Sequence, residues 1–229
     1  MSATSSDRIR LNVGCGSQRP KGWCNCDSSL ASLIQSIPFG LKLTSRLWSV
    51  QYESPARYLD LRFKWRIFDD SSCDVVYALH VFEHLNVTNA SLFLREAHRV
   101  LRFGGVLRLV VPDLRIIAGQ YLSNSESENE SPAAAEHFLY QINLHRESTY
   151  GSGWIKYLLG MLQGFPHQHK YMYDSASLKK VVMAGGFCGV TFGSYGVSSR
   201  ISDIEQLECT KEGVPSLYLE AEKPKDRAG

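Results

Sequence analysis

The chain has no apolar run that could cross a membrane, because nowhere do about eighteen apolar residues follow one another. Its N-terminal segment, MSATSSDRIR, is polar and lacks the apolar core of a signal peptide. A strong excess of charge is also missing, since the formal net charge is only +2. Nucleic-acid binding would call for a clustered basic stripe. These absences predict a cytoplasmic protein with no membrane span and no nucleic-acid partner.

The cysteine spacing of a structural zinc site is absent as well. Cys24 and Cys26 are separated by one residue and lack the second pair that such a site needs. His167 and His169 form a His-x-His pair that can chelate metal, but no carboxylate follows until Asp174, and the alternation equally suits an extended strand. The sequence therefore predicts no metal site. Its six cysteines, at positions 15, 24, 26, 73, 188 and 209, are expected to be reduced.

What the chain does contain is an alternation of short apolar runs and helical patterns, which is typical of an α/β fold with a parallel sheet. With 229 residues and 44% hydrophobic content, it is predicted to form one domain, residues 1–229. The clearest helix is expected at residues 89–102, capped by Thr88 or Asn89 and ended by Gly104. Strands are predicted at residues 8–13, 23–27, 56–60, 74–78, 106–111, 190–195 and 216–221.

A Gly-x-Gly turn follows the first predicted strand, in the sequence RIRLNVGCGSQRPKGWCNCD. Gly14 and Gly16 allow a sharp turn that brings backbone N–H groups close to a ligand, and Asp27 ends the next strand, where it can accept both hydroxyls of a ribose. The third glycine of a dinucleotide fingerprint is missing. The pattern favours a ligand with a ribose and no pyrophosphate; the alternative is a tight structural turn.

The link from this turn to the second strand is unusually short. Only Ser17 to Gly22 separate Gly16 from the strand, whereas a parallel crossover normally needs a dozen residues or more and usually a helix. Either the crossover is an abbreviated loop, or the second strand lies elsewhere. The geometry around Asp27 therefore depends on which alternative holds.

Six segments, in order along the chain, resemble the class I S-adenosylmethionine (SAM)-dependent methyltransferases, especially the short bacterial branch labelled type 11. They are LNVGCG, GWCNCD, YLDL, SSCDVVYALHVFEHL, FLREAHRVLRFGGVLRLVVPDL and HKYMYD. The resemblance covers most of residues 8–222. It implies a Rossmann-like, mostly parallel seven-stranded sheet that binds SAM, with a helical insertion after the fifth strand.

The resemblance also implies which residues contact the cofactor. Asp60 would bind the adenine amino group while Leu61 packs on the ring, and His80 would lie near the methionine end of SAM. The predicted cofactor-binding set is Gly14, Cys15, Gly16, Asp27, Asp60, Leu61 and His80. The alternative for the carboxylates is a turn or cap, and for Cys15 a small residue tolerated at a tight corner.

Three residues, His80, His84 and Asp113, are candidates for catalysis. His80 and His84 are four positions apart, so a helix would place them on one face, and imidazole can take a proton near neutrality. Asp113 follows the fifth predicted strand and would face the mouth of the pocket. The alternative is that both histidines bond the backbone and fix the loop. Glu83 is expected to be an orienting partner or a solvated helix residue. The HKYMYD segment is expected to contribute to the substrate pocket.

Two insertions are expected to surround the pocket. The first, residues 28–59, has apolar positions at Leu30, Leu33, Ile34 and Ile37 that suggest an amphipathic helix, and a second helix is expected at 41–48. The other insertion, at about 114–173, is predicted to form a helical lid with helices at 113–122, 132–144 and 153–163. Within it, SNSESENES at 123–131 is expected to be a mobile loop.

These patterns together predict a SAM-dependent methyltransferase that acts on a small-molecule or saccharide acceptor, with a sugar hydroxyl as the first expectation. Two alternatives stay open. One is a methyltransferase-like SAM-binding protein without catalysis, and the other is a nicotinamide oxidoreductase on a Rossmann sheet, which the missing third glycine disfavours. The oligomeric state is left open.

Overall fold

The structure is a computed structural model that describes residues 9–48, 53–125, 132–144, 168–208 and 214–225. The strands are β1 (Ile9–Val13), β2 (Cys24–Asp27), β3 (Arg57–Tyr58), β4 (Cys73–Leu79), β5 (Leu101–Pro112), β6 (Cys188–Gly193) and β7 (Ser216–Glu222). The helices are α1 (Leu30–Gln35), α2 (Gly40–Trp48), α3 (Val87–Val100), α4 (Leu114–Ser125), α5 (Pro132–Gln141) and α6 (Ser175–Ala184). Short 3-10 turns occupy Phe82–His84 and Ile204–Gln206.

One sheet contains all seven strands, in the order β3-β2-β1-β4-β5-β7-β6. Strands β1 to β5 pair in parallel, and β7 runs antiparallel to both β5 and β6. The predicted Rossmann-like, mostly parallel sheet is confirmed. Because the carboxyl ends of parallel strands meet at one edge, the loops after β1, β2, β4 and β5 come together there.

Strand β5 is buried on both faces, as its apolar sequence predicts. Leu107 and Leu109 belong to the larger core cluster, which also contains the apolar side of α3. Val106 and Val110 point to the opposite face and join a second cluster. The alternation along one strand therefore places β5 between two apolar layers, which fixes its position at the centre of the fold.

Helix α3 is present, but its predicted boundaries are wrong at both ends. Asn86, not Thr88 or Asn89, is its N-cap and accepts a hydrogen bond from the Asn89 N–H at 2.9 Å. The helix ends at Val100, and the chain passes directly into β5 at Leu101. Gly104 lies inside the extended strand. Pairing with β4 marks the end of the helix, because Leu101 lies opposite Cys73. The Gly104 N–H then donates to Lys223 O at 2.9 Å.

The link from β1 to β2 contains no helix, so the abbreviated-loop alternative is the one found. Polar side chains hold it in place. Asn12 Nδ2 donates to Gln18 O at 2.9 Å and to Asn25 Oδ1 at 2.8 Å, both from the buried face of the sheet. Arg19, only 4% exposed, donates to Gly16 O at 2.7 Å. These bonds satisfy the backbone of the link and place β2 directly beside β1.

Helix α1 buries polar side chains and exposes most of its apolar ones. Of the four apolar positions that suggested an amphipathic helix, Leu30, Leu33 and Ile37 are 55%, 49% and 57% exposed, and Ile34 is partly buried. The buried side chains are Ser32 and Gln35. Gln35 hydrogen-bonds polar groups of three neighbouring segments, so the local hydrogen-bond network outweighs apolar periodicity in setting the rotation of this short helix.

The insertion after β5 begins with α4 and α5, which pack together. The rings of Tyr121 and Phe138 are 5.0 Å apart, and Gln141 Nε2 donates to Gln120 Oε1 at 3.1 Å. Helix α4 includes residues 123–125, so the start of the acidic stretch is helical and not a loop. The rest of that stretch, 126–131, and the predicted helix at 153–163 lie outside the described residues. Among the residues that the structure describes, no helix is long and apolar enough to span a bilayer.

Candidate active site

The turn that follows β1 has both glycines in the left-handed backbone region, with φ of 67° at Gly14 and 50° at Gly16. A Cβ at Gly16 would extend into open space, because no atom of the described residues beyond its chain neighbours lies within 4 Å of it. A Cβ at Gly14 would instead lie 2.3 Å from Cγ2 of Val81. Gly14 therefore allows the turn to pack on the loop after β4, while Gly16 leaves room at the open edge of the sheet.

Asp27 ends β2 and faces this turn. Its Oδ2 accepts the Gly16 N–H at 3.0 Å, and its Oδ1 accepts the Ser29 N–H at 2.7 Å. Each carboxylate oxygen has a second lone pair, so both retain the capacity to accept a ligand hydroxyl. The structure thus brings Asp27 and the glycine turn together. Its contact with a ribose stays a prediction.

Cys15 lies between the two glycines and is 5% exposed. Its N–H donates to Cys26 O at 3.0 Å, which ties the turn to β2. Burial, together with the negative charge of Asp27, raises the pKa of the thiol to about 12. Cys15 is therefore a neutral packing residue, in line with the small corner residue that the sequence suggested, and its thiol is a poor nucleophile.

Asp60 and Leu61 follow β3, and both already have partners within the chain. Asp60 accepts hydrogen bonds from the backbone N–H and guanidinium of Arg62, the shortest at 2.6 Å. Burial acts to raise the pKa of Asp60, but these bonds hold it below its usual value. Leu61 is 8% exposed and belongs to the larger core cluster. The predicted contacts of both residues with adenine remain predictions.

His80 follows β4 with φ of 50°, a left-handed conformation that is uncommon outside glycine and costs about 1–3 kcal/mol. The predicted helical face shared by His80 and His84 is wrong, because His80 precedes the 3-10 turn. The His80 Nδ1 lies 3.2 Å from Glu83 Oε1, and its Nε2 lies 3.3 Å from the Ser216 hydroxyl. Both ring nitrogens therefore contact polar groups, and the carboxylate of Glu83 makes Nδ1 the donor.

Glu83 is the acidic group at the centre of the site, with no exposed surface. Burial acts to raise its pKa, but the hydrogen bond from His80 and the nearby His84 and His169 rings bring the pKa below its usual value. Its Oε1 lies 3.8 Å from His169 Nε2. Its Oε2 is buried without a hydrogen-bond partner among the described residues. The sequence suggested Glu83 as an orienting partner or a solvated helix residue, since nothing local shows that it is buried.

The HKYMYD segment is the element that closes over Glu83. The backbone N–H groups of Lys170 and Tyr171 donate to Glu83 O at 2.8 and 3.2 Å. His84 Nδ1 lies 3.0 Å from Gln168 O, and because a carbonyl can only accept, Nδ1 is the donor. These bonds explain why the segment lies against the strand ends, as the sequence predicted for a pocket element. His167 lies outside the described residues.

Asp113 lies at the carboxyl end of β5 and is 7% exposed. Its Oδ1 accepts the N–H groups of Arg115 and Ile116 at 2.9 and 3.3 Å, so it caps the start of α4. It also forms an isolated parallel bridge with Tyr173. Asp113 therefore has a structural role at the predicted position, as the cap of α4. Its catalytic role stays a prediction.

Comparison with known proteins gives a match to part of the chain and a set of structures with a similar fold. Residues 11–109 match the family model described as a methyltransferase domain, and the search of curated proteins gives no match. Among solved structures, the YcgJ protein from Bacillus subtilis has a TM-score of 0.50 and 11% identity, with 97% of this chain and 95% of that chain covered. A possible histamine N-methyltransferase from Thermotoga maritima has a TM-score of 0.46 and 14% identity, with 94% and 82% covered.

A putative methyltransferase from Haloferax volcanii, solved with the Trm112 activator, has a TM-score of 0.48 and 13% identity, with 95% of this chain and 83% of that chain covered. The matched domain contains the glycine turn, Asp27 and the strands that carry the candidate site. The family match at residues 11–109 favours methyl transfer over the oxidoreductase alternative. Residues 11–109 are therefore similar to a methyltransferase domain, for which SAM is the expected methyl donor.

Proposed function

We propose that this methyltransferase transfers the methyl group of SAM to an oxygen atom of a small molecule or glycan. The observation that carries the proposal is the group formed by Glu83, His84 and His169 at the carboxyl end of β4, beside His80. Carboxylate and imidazole lone pairs accept hydrogen bonds, so these side chains suit an acceptor that presents hydroxyl groups.

The cofactor would lie across the loops that follow β1 to β4. In this proposal Gly14 and Cys15 shape the turn, Gly16 leaves space for the ligand, and Asp27 accepts the ribose hydroxyls. Asp60 and Leu61 contact the adenine. The open space at Gly16 and the second lone pairs of Asp27 support this placement.

Replacing Asp27 by alanine is expected to weaken SAM and S-adenosylhomocysteine binding. Loss of a charged hydrogen-bond acceptor costs about 1.5–3 kcal/mol, or roughly 10–150-fold in affinity. Calorimetric titration of each ligand would measure the change. Because Asp27 also accepts the Gly16 N–H, Asp27→Asn is the matched variant that can keep this bond. Asp70→Ala, at a site beside Arg99, is the control and should bind SAM normally. Unchanged affinity in Asp27→Ala would mean that another group holds the ribose.

Catalysis in this proposal rests mainly on positioning. The sulfonium of SAM is an activated leaving group, so the protein chiefly has to align the acceptor oxygen, methyl carbon and sulfur and keep water away. His80, held by Glu83 and Ser216, lines the acceptor side, and His84 extends the same polar surface. Asp113 supports this polar surface from the start of α4. The insertion that begins with α4 and α5 would act as the lid of a single-domain enzyme.

The cytoplasm is the compartment that we propose for this enzyme. All five cysteines within the described residues are free thiols, which suits a reducing environment.

The acceptor can be identified with SAM that carries an isotopically labelled methyl group. Purified protein is incubated with monosaccharides, polyols, phenols, amines and 1,3-dicarbonyl compounds, and the products are analysed by mass spectrometry. We expect label in a hydroxyl-bearing acceptor as an acid-stable methyl ether. The Asp27→Ala protein serves as the control with weakened cofactor binding. Label that enters only amines or carbon acids would contradict oxygen methylation.

A further inference from the structure

Glu83, His84 and His169 form a cluster of side chains that could bind a metal ion. One ligand atom from each residue lies within 4.8 Å of the other two. His84 follows the buried strand β4 directly in the 3-10 turn, whereas His169 comes from the HKYMYD segment, far along the chain. The fold therefore assembles two imidazoles and one carboxylate at the carboxyl edge of the sheet. That donor set is the one used by several catalytic zinc sites.

We propose that Glu83, His84 and His169 bind a divalent transition-metal cation, of the kind represented by Zn²⁺ or Co²⁺. Metal–ligand bonds of about 2.0–2.2 Å put the ligand atoms of a tetrahedral site about 3.4 Å apart. Glu83 Oε1 and His169 Nε2 are already 3.8 Å apart. Small side-chain movements are enough to close the three groups around an ion.

The bonding of Glu83 is a second, independent observation that points to a cation. This side chain is fully buried, and its Oε2 has no hydrogen-bond partner within the described part of the chain. A buried carboxylate oxygen without a partner is costly, and a bound cation removes that cost. His80 donates to Oε1 of the same carboxylate and so fixes its orientation, as outer groups do in metal sites.

The hydrogen bonding of His84 also suits a metal ligand. Its Nδ1 donates to the Gln168 carbonyl, so the ring lone pair is on Nε2. Histidines that bind metals commonly donate their other ring N–H to a backbone carbonyl or carboxylate, which sets the tautomer. Imidazole ligands favour zinc, iron, nickel or copper over the all-oxygen coordination preferred by magnesium and calcium. The donor set therefore selects a transition metal.

Three protein ligands leave at least one coordination position for another molecule. If the proposed oxygen methylation is correct, that position would take an oxygen atom of the acceptor and hold it near the methyl group. The metal site itself does not depend on this use. Lys170, whose Nζ donates to His84 O at 3.0 Å, brings a positive charge close to the cluster. Removing that charge should favour a cation.

The test is a titration of the purified, chelator-treated protein with Co²⁺, followed by visible absorption and calorimetry, and repeated with Zn²⁺. We expect one ion per chain. His169→Gln and Glu83→Gln should each lower the affinity by at least about 100-fold, since even outer-shell changes cost 10–100-fold. His98→Gln, in a ring pair with Phe187, is the matched control and should bind normally. Lys170→Gln should bind as well as the original protein or more tightly.

Three results would overturn the proposal. They are the lack of saturable binding to the folded protein, binding that survives both ligand substitutions, and a cobalt–thiolate charge-transfer band that identifies cysteine ligands. Circular dichroism and thermal melting of each variant establish that it is folded. SAM affinity is measured on the same samples without metal. Failure of the metal site would leave SAM binding intact, whereas failure of the proposed methyl transfer would appear in the labelled-acceptor assay.

Discussion

Gly14→Ala is expected to reduce both stability and SAM affinity. An alanine in the left-handed region costs about 1–2 kcal/mol, and overpacking against a neighbour typically adds about 1–3 kcal/mol. Here the new Cβ would lie 2.3 Å from Cγ2 of Val81, so the turn or the loop after β4 must move. Both line the candidate cofactor site. Thermal unfolding and calorimetric titration with SAM would measure the two effects, and we expect at least about a tenfold loss of affinity.

Two further variants separate the collision from the backbone strain. Gly14→Ala combined with Val81→Ala removes the colliding methyl groups and should recover part of both losses, leaving the cost of φ at 67°. Gly16→Ala has no neighbour within 4 Å, so it should lose SAM affinity with a smaller loss of stability. A Gly14→Ala protein that melts normally and binds SAM normally would contradict the tight packing of the turn on Val81.

Arg108→Ala is expected to lower the free energy of unfolding by about 3–5 kcal/mol, the usual effect of breaking a buried ion pair. Arg108 lies in the middle of β5 and is 1% exposed. Its Nη2 is 2.7 Å from Glu208 Oε1, and its Nη1 is 3.2 Å from Glu220 Oε1. Without the guanidinium, the fully buried Glu208 carboxylate has no positive partner. Chemical denaturation followed by circular dichroism would measure the loss.

Arg102→Ala is the matched control, because Arg102 is on the same strand but its ion pair with Asp74 is half exposed. Such surface pairs contribute about 0–1 kcal/mol. The double variant Arg108→Met with Glu208→Leu should recover part of the loss, since it removes both buried charges. A loss for Arg108→Ala as small as that for Arg102→Ala would show that the buried ion pair adds nothing to stability.

Local sequence patterns predicted the sheet well. All seven strands were placed near their true positions because each is a short apolar run bounded by turn residues, and a buried parallel strand needs little else. The boundary between α3 and β5 was wrong since the strand begins at Leu101, which pairs with Cys73 of β4. The rotation of α1 could not be predicted because Gln35 finds hydrogen-bond partners that are distant in sequence.

In the same way, residues that lie close together in sequence could be predicted to meet, and partners that lie far apart in sequence could not. Gly14, Gly16 and Asp27 could be predicted because they lie close together in sequence, and a parallel β1–β2 pair must bring them to the same edge. The buried Arg108 could be seen inside an apolar run, but its partners Glu208 and Glu220 could not, since they come from the far end of the chain.

The sequence by itself determined the fold class and the position of the Gly14–Gly16 turn, because both depend on short-range patterns of apolar residues and glycines. Only the tertiary structure decided what surrounds Glu83. A carboxylate in a 3-10 turn is ordinarily solvated, and its burial depends on a segment that begins more than eighty residues later, at Gln168, whose carbonyl contacts the neighbouring His84. Contacts of such sequence separation arise from packing of the whole sheet edge, so no local pattern could show that Glu83, His84 and His169 meet.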